Sequence, residues 1–539
     1  MSSIPPPPIR IPAGLAFGEA RGCRDWLNAL PLTNIPQAQS QVLEALRILA
    51  GAPEFDALER LKCLELVRDK IAFLQGEQRA RYFGKSLPLS NNDSDAWRTG
   101  RGLLEEMETG YRKALAAAGS AGGEIAGHTA LITQRIVRYI GAQMLFHAVV
   151  YRRFAPELWT RLHQDYRVAD KAGIAEERIK DSLESDDGTS SVAEAYAQVV
   201  LAQAAYLSEL TGAQMDFMSQ LLRMWARKVQ LRPRPLEGGP AQLPLVVDLD
   251  KPIGARPLAA ADLRDNHRVL DVEQLSRSMR RRISGLQKEE DPAAMGLPQD
   301  FSPGDALDHL QRLHKLWCEG APPRPPAKVP EEKAVSIILG FNEIHFYVAG
   351  GKPFEQPDKK REMTRQEKQD IEVFGRVSER TQSMMVADYT SAVESWAVVD
   401  EMMGAWRIVR PSTSSKGVAI GRLVAMRAGD AAAFFLGRVS ALAQETDGRL
   451  VATITLFPGK PQPVAVRAAD ARNRSSAQWG IGFRLPALER IKIAASLVAP
   501  SGVAQRGRGI ELYEGGVAKE TTVYEVVDRG TDFDRVTTF

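Results

Sequence analysis

The histidines are the first residues to weigh for chemistry. There are seven, and His309 and His314 stand closest together. A five-residue step sets two side chains about 140° apart around a helix, a poor spacing for sharing a metal. His314 also falls on the stripe of Leu310 and Trp317, so it reads as a histidine at the edge of a core. Cys23, Cys63 and Cys318 are widely separated, with no CxxC pair. That usage argues against a disulfide framework or a Cys-rich zinc site and fits a reducing, cytoplasmic compartment. The phosphate-cradling GxxxxGK[ST], a GxGxxG after a strand, the nucleophile turn GxSxG and the zinc helix HExxH do not occur. We therefore read the chain as non-enzymatic, with no catalytic residue, metal site or cofactor.

What remains is arginine. Arg361 and Arg365 stand four residues apart, as do Arg376 and Arg380. Further basic clusters occur at Arg232 and Arg234, at Arg280 to Arg282, and at Lys359-Lys360-Arg361. Each is read as a solvated helix face or turn, and an acidic run such as Glu289-Glu290-Asp291 offsets the field. Seventy Lys plus Arg against sixty-seven Asp plus Glu leave a net charge of +3 over 539 residues. A protein that coats nucleic acid carries a basic surplus or a basic tail, so nucleic acid is not expected as a partner. No apolar run approaches the length of a membrane span. The first ten residues lack the charged and apolar regions of a secretory signal.

The elements that must position any site change character along the chain. Pro5 to Pro8, Pro12 and Gly14 make a stiff leader. Helical periodicity follows, with Leu58, Leu61, Leu64, Val67, Ile71 and Leu74 at three- and four-residue steps. Ser191 and Ser302 are placed to cap helices, and Leu243 to Val247 reads as a strand or an extended connection. Trp159, Leu162, Tyr166 and Ala175 partly match a tetratricopeptide spacing, but no second copy follows. The Pro-rich stretch from Cys318 to Pro330 reads as a linker. After it, Val335 to Leu339 and Ile344 to Val348 read as strands and 364–403 as a return to helix. From Trp406 onward, short β-branched and aromatic runs alternate with Gly and Pro turns. The expected domains are an extended or disordered tail (1–36), a helical domain (37–318), a linker (319–332), a mixed connecting segment (333–404) and a β-barrel with a β-rich extension (405–539).

One stretch resembles a known family. Trp406-Arg-Ile-Val-Arg-Pro-Ser412-Thr-Ser414-Ser-Lys-Gly417, followed by Gly421-Arg-Leu-Val-Ala-Met, is similar to the PilZ domain, a small barrel that binds the bacterial second messenger cyclic di-GMP. The family carries RxxxR before the barrel and [D/N]xSxxG at a strand turn. Arg376-Val-Ser-Glu-Arg380 supplies the first, with Arg361 and Arg365 as a more distant candidate, and Ser414-Ser-Lys-Gly417 supplies the SxxG half. Ser412 stands where the family has Asp or Asn, which removes the carboxylate or amide acceptor expected to read a guanine edge and leaves a shorter, weaker hydroxyl. The resemblance covers roughly residues 370–470.

That resemblance implies a fold and a job. The fold is α+β multidomain: an N-terminal helical bundle or short solenoid, then a PilZ-like antiparallel β-barrel. The job is a cyclic di-GMP receptor or adaptor whose ligand residues are Arg376, Arg380, Ser412, Ser414 and Gly417. Arginine would fork onto a phosphate or guanine edge and stack on a base, the serines would complete guanine recognition, and glycine would allow close approach. A protein partner would bind the helical half, in motility, adhesion or biofilm control. The alternative is a degenerate barrel that binds proteins only.

Overall fold

Apolar spacing and capping build the first half. The helices in chain order are α1 (Ala20–Asn28), α2 (Ile35–Gly51), α3 (Ala57–Gln78), α4 (Asn91–Ala121), α5 (Thr129–Ala148), α6 (Glu157–Lys171), α7 (Val192–Ala204), α8 (Gly212–Trp225), α9 (Glu273–Gln287) and α10 (Pro303–Cys318). Leu61, Leu64, Val67, Ile71 and Leu74 bury one face of α3. The Asp56 carboxylate accepts from the Leu58 and Glu59 amides at its start, and the Ser191 and Ser302 hydroxyls accept from Glu194 and Asp305 at theirs. Gly173 ends α6 with φ +72°, a conformation that only glycine adopts freely. His309 and His314 are buried in α10, and burial holds the His309 imidazole down at about 4.

We describe residues 12–121, 124–184, 188–235, 243–299, 301–320, 333–357, 365–374, 389, 392–402, 404–410, 416–429, 431, 433–469 and 478–539 of a computed structural model. The chain divides into two compact units. One holds Met1–Lys85 and Leu89–Arg324, the other Ser86–Pro88 and Pro325–Phe539. The first unit is not purely helical. It carries a hairpin of β1 (Ile179–Lys180) and β2 (Thr189–Ser190), and a sheet of β3 (Gln230–Arg232), β4 (Leu245–Asp248), β5 (Arg256–Pro257) and β6 (His267–Asp271) in the order β3-β6-β4-β5. The β1–β2 hairpin is tied to α3 and α5 through Asp181, which meets Arg68 at 2.6 Å and Arg138 at 2.8 Å. Burial works to raise that carboxyl, but Arg138, Arg68 and Arg135 outweigh it and hold it down at about 2. The segment read as a tail to residue 36 contains α1, whose Cys23 and Leu27 are buried.

The second unit comprises β7 (Ala334–Leu339), α11 (Phe341–Val348), α12 (Arg365–Phe374), β8 (Glu394–Met402), β9 (Ala405–Arg410), β10 (Leu423–Ala428), β11 (Phe435–Gln444), β12 (Leu450–Leu456), β13 (Gln462–Ala468), β14 (Gly480–Leu485), β15 (Ser496–Pro500), β16 (Gly509–Glu514), β17 (Val517–Arg529) and β18 (Phe533–Thr538). These strands close two antiparallel barrels, not one. The first runs β10-β11-β12-β9-β8-β7 and the second β13-β14-β15-β18-β17-β16. Numbered within its own barrel, each set has the same neighbours: first with second and fourth, third with second and sixth, fifth with fourth and sixth. The second barrel repeats the topology of the first. The two share one core, in which Leu423, Leu436 and Phe457 of the first meet Phe483, Val498 and Phe533 of the second. The Phe457 and Phe533 rings lie 5.5 Å apart.

Three expectations need correction here. Ile344 to Val348 is part of helix α11, not a strand; Gly340 at φ +95° turns the chain into it, and the Glu343 carboxylate folds back to the same point. Within 364–403, α12 is helical, but 394–402 is strand β8, with Trp396, Val398 and Asp400 alternating inward. The first barrel does not begin at 405, because β7 and β8 close it from within the segment read as a connection.

Candidate functional site

Of the residues that the sequence singles out, Gly417 and Arg365 are described. Arg361, Arg376, Arg380, Ser412 and Ser414 lie outside the described residues. Arg365 opens α12 and is exposed. Gly417 follows β9 on the crossover to β10 and lies beside Leu87, whose amide donates to the Val418 carbonyl at 2.8 Å and whose carbonyl accepts from the Val418 amide at 2.9 Å. The frame around this crossover can therefore be built from β9 on one side and β10 on the other.

Arg410 ends β9 with its guanidinium turned inward and is 3% exposed. Its Nε donates to Glu394 Oε2 at 2.9 Å, and one terminal nitrogen donates to Oε1 at 3.1 Å. Glu394 Oε2 also accepts from the Trp396 indole at 3.0 Å, and the guanidinium lies 5.0 Å from the Trp396 ring centre. The forked geometry satisfies a charge that would otherwise be costly to bury. The same terminal nitrogen donates to the Lys416 carbonyl at 3.0 Å, so the buried pair also grips the crossover.

The next carbonyl along is gripped by a second arginine. Arg422, just before β10, donates from NH1 to the Gly417 carbonyl at 2.9 Å. Its Nε lies 3.6 Å from Asp532 Oδ2, and Asp532 Oδ1 accepts from the Leu423 amide at 2.8 Å. Asp532 comes from the β17–β18 turn of the second barrel, where the Thr531 amide also donates to the Gly421 carbonyl at 2.8 Å. Gly421 has φ +78°, which places it in a turn that glycine suits. Burial pushes the Asp532 carboxyl upward, against the pull of the Leu423 amide and Arg422. Two consecutive carbonyls, those of Lys416 and Gly417, are thus pinned by two guanidiniums, each with a carboxylate behind it.

Glycine at 417 has a packing reason. A Cβ there would sit 2.7 Å from the Ser86 Cβ, closer than side chains approach one another. The close neighbour that this glycine admits is Ser86.

Sequence reasoning missed Arg410, Arg422, Glu394, Trp396 and Asp532. The two arginines flank the SxxG turn and were within reach of a reading that asked what holds that turn. Glu394 and Asp532 are far away in sequence, and no spacing points to them. Among the described residues no group of histidine, cysteine and carboxylate side chains could hold a metal ion, and no helix is long and apolar enough to cross a membrane.

Comparison with family models bears on this frame. The model described as the cyclic-di-GMP receptor FimW, N-terminal domain, matches residues 21–235. The model described as the cyclic-di-GMP receptor FimW, middle PilZ domain, matches residues 245–407. The chain belongs to the cyclic-di-GMP receptor FimW family. A PilZ domain with a helical part before it is present, as the resemblance implied, and the ligand in the family's description is the one expected. The second match takes in Arg376 and Arg380 and ends inside β9, before Ser412. No curated protein and no solved structure matches the chain.

Proposed function

We propose that the protein is a non-enzymatic cyclic di-GMP receptor, in which the crossover from β9 to β10 and the arginines ahead of β8 take the ligand. Arg376 and Arg380 fork onto the phosphates or a guanine edge, Ser412 and Ser414 offer hydroxyls to the base, and the backbone at Gly417 forms the floor. The observation that carries this reading is the pair of guanidiniums, Arg410 and Arg422, on the adjacent carbonyls of Lys416 and Gly417. A loop held at two consecutive peptides is preorganised, and preorganisation lowers the entropy lost on binding. The helical unit is then the surface for a protein partner in motility, adhesion or biofilm control, in the cytoplasm. Titration calorimetry with cyclic di-GMP tests the ligand, and a saturable heat that Arg376→Ala with Arg380→Ala abolishes is the expected result. The absence of heat and of any thermal shift at high micromolar ligand would sink it.

One observation favours a second reading, a scaffold that binds proteins without nucleotide. Ser412 replaces the family's Asp or Asn, and a hydroxyl reaches less far and accepts more weakly than a carboxylate. Ser412→Asp separates the two. On the receptor reading it tightens binding that already exists; on the scaffold reading it creates binding that the native chain lacks.

A further inference from the structure

Arg422 has more N–H groups than its partners use. A guanidinium carries five donors in a planar fork. Here NH1 serves the Gly417 carbonyl and Nε faces Asp532, while NH2 has no hydrogen-bond partner among the described residues. The side chain is 34% exposed beside the turn. An arginine held at two points, with a donor edge left over, is arranged to fork onto an oxyanion.

We infer that Arg422 is a third arginine of the cyclic di-GMP site, directed at a phosphate, and that Asp532 of the second barrel orients it. The inference rests on the reading that the β9–β10 crossover takes the nucleotide. It gives the second barrel a task that its topology alone does not reveal. A solvent-facing arginine samples many rotamers, and fixing one on binding costs affinity. Asp532 removes part of that cost beforehand, because it is itself fixed by the Leu423 amide at 2.8 Å. The affinity of the first barrel is then set partly from the second.

The test uses the full chain and calorimetry with cyclic di-GMP, beside thermal melts without ligand. Arg422→Ala is expected to weaken binding about tenfold or more, a loss of about 1.4 kcal/mol per decade. Arg422→Lys restores only part of it, because lysine lacks the fork. Asp532→Asn can still accept from the Leu423 amide, so it should fold normally and weaken binding severalfold. Arg438 on β11 pairs with Asp528 on β17 at 2.9 Å, a contact between the barrels whose partner is neither the Lys416 nor the Gly417 carbonyl. Arg438→Gln should leave binding unchanged, which separates a directed arginine from a general loosening. If the native chain binds and the Arg422 and Asp532 variants bind equally well, the inference is overturned and the receptor reading stands. If the native chain does not bind at all, the receptor reading falls and takes this inference with it.

Discussion

The third and fourth strands are joined by a crossover in both barrels, and the described residues of the two crossovers are held by different partners. In the second barrel the Gly502 amide donates to Asp534 Oδ2 at 2.8 Å, the Gly507 amide to the Val523 carbonyl at 2.9 Å, and Arg508 to the Gly502 carbonyl at 3.2 Å. That crossover is tied up within its own barrel. In the first barrel the carbonyls of Lys416 and Gly417 accept from Arg410 and Arg422, and Arg422 keeps a donor edge open. Shared topology therefore does not fix what the side chains on a connection do. The second barrel instead lends a carboxylate, Asp532, to the connection of the first.

The largest expected effect tests whether the barrels are one folding body. Phe533 is fully buried in the shared core. Phe533→Ala should cost about 3–5 kcal/mol, with amide protection at Leu423 of the first barrel falling together with that at Val498 of the second. Protection lost in the second barrel alone would separate them. Arg410→Ala comes next, since it removes both guanidinium bonds from Glu394, a side chain only 13% exposed. A loss of about 3 kcal/mol in urea denaturation is expected from breaking a buried pair, together with weaker ligand binding. A variant that lost stability but kept full affinity would show that the Arg410 grip on Lys416 does not shape the crossover.

A smaller effect concerns Gly417. Gly417→Ala should cost about 1–3 kcal/mol through overpacking against Ser86, and Ser86→Gly in the same chain should recover most of it. A double-mutant cycle with no coupling would contradict the close approach. The smallest effect is in pH. Burial raises the folded pKa of Asp528 and of Asp532 above the ordinary 3.8. A raised carboxyl contributes stability that is fully present below its unfolded pKa and is lost as pH rises through the folded value. Denaturation midpoints should therefore fall slightly across that window, and Asp528→Asn with Asp532→Asn should flatten the profile.

Much of this architecture was legible in the sequence, because period and punctuation are local. The α3 stripe and the Ser191 and Ser302 caps read directly, and the runs from Trp406 onward fall on strands. The places that failed have physical causes. In β8 an acidic residue, Asp400, occupies an inward position, which hides the two-residue period behind an apparent helix. In α11 the run Ile-His-Phe-Tyr-Val has strand-like composition, and packing against the barrels decides otherwise. Closure into two barrels depends on which strands pair, and evenly spaced strands do not announce that. At the site, the turn motif was visible because its residues are consecutive. Glu394 and Asp532 were not, because folding alone brings them to Arg410 and Arg422.

The most direct test of the account is a calorimetric titration of the full chain with cyclic di-GMP, repeated on the Arg376→Ala, Arg380→Ala double variant. Saturable binding by the native chain and its loss in the variant, with the melting temperature unchanged, is the expected result. No heat from the native chain, or equal binding by both, would contradict it.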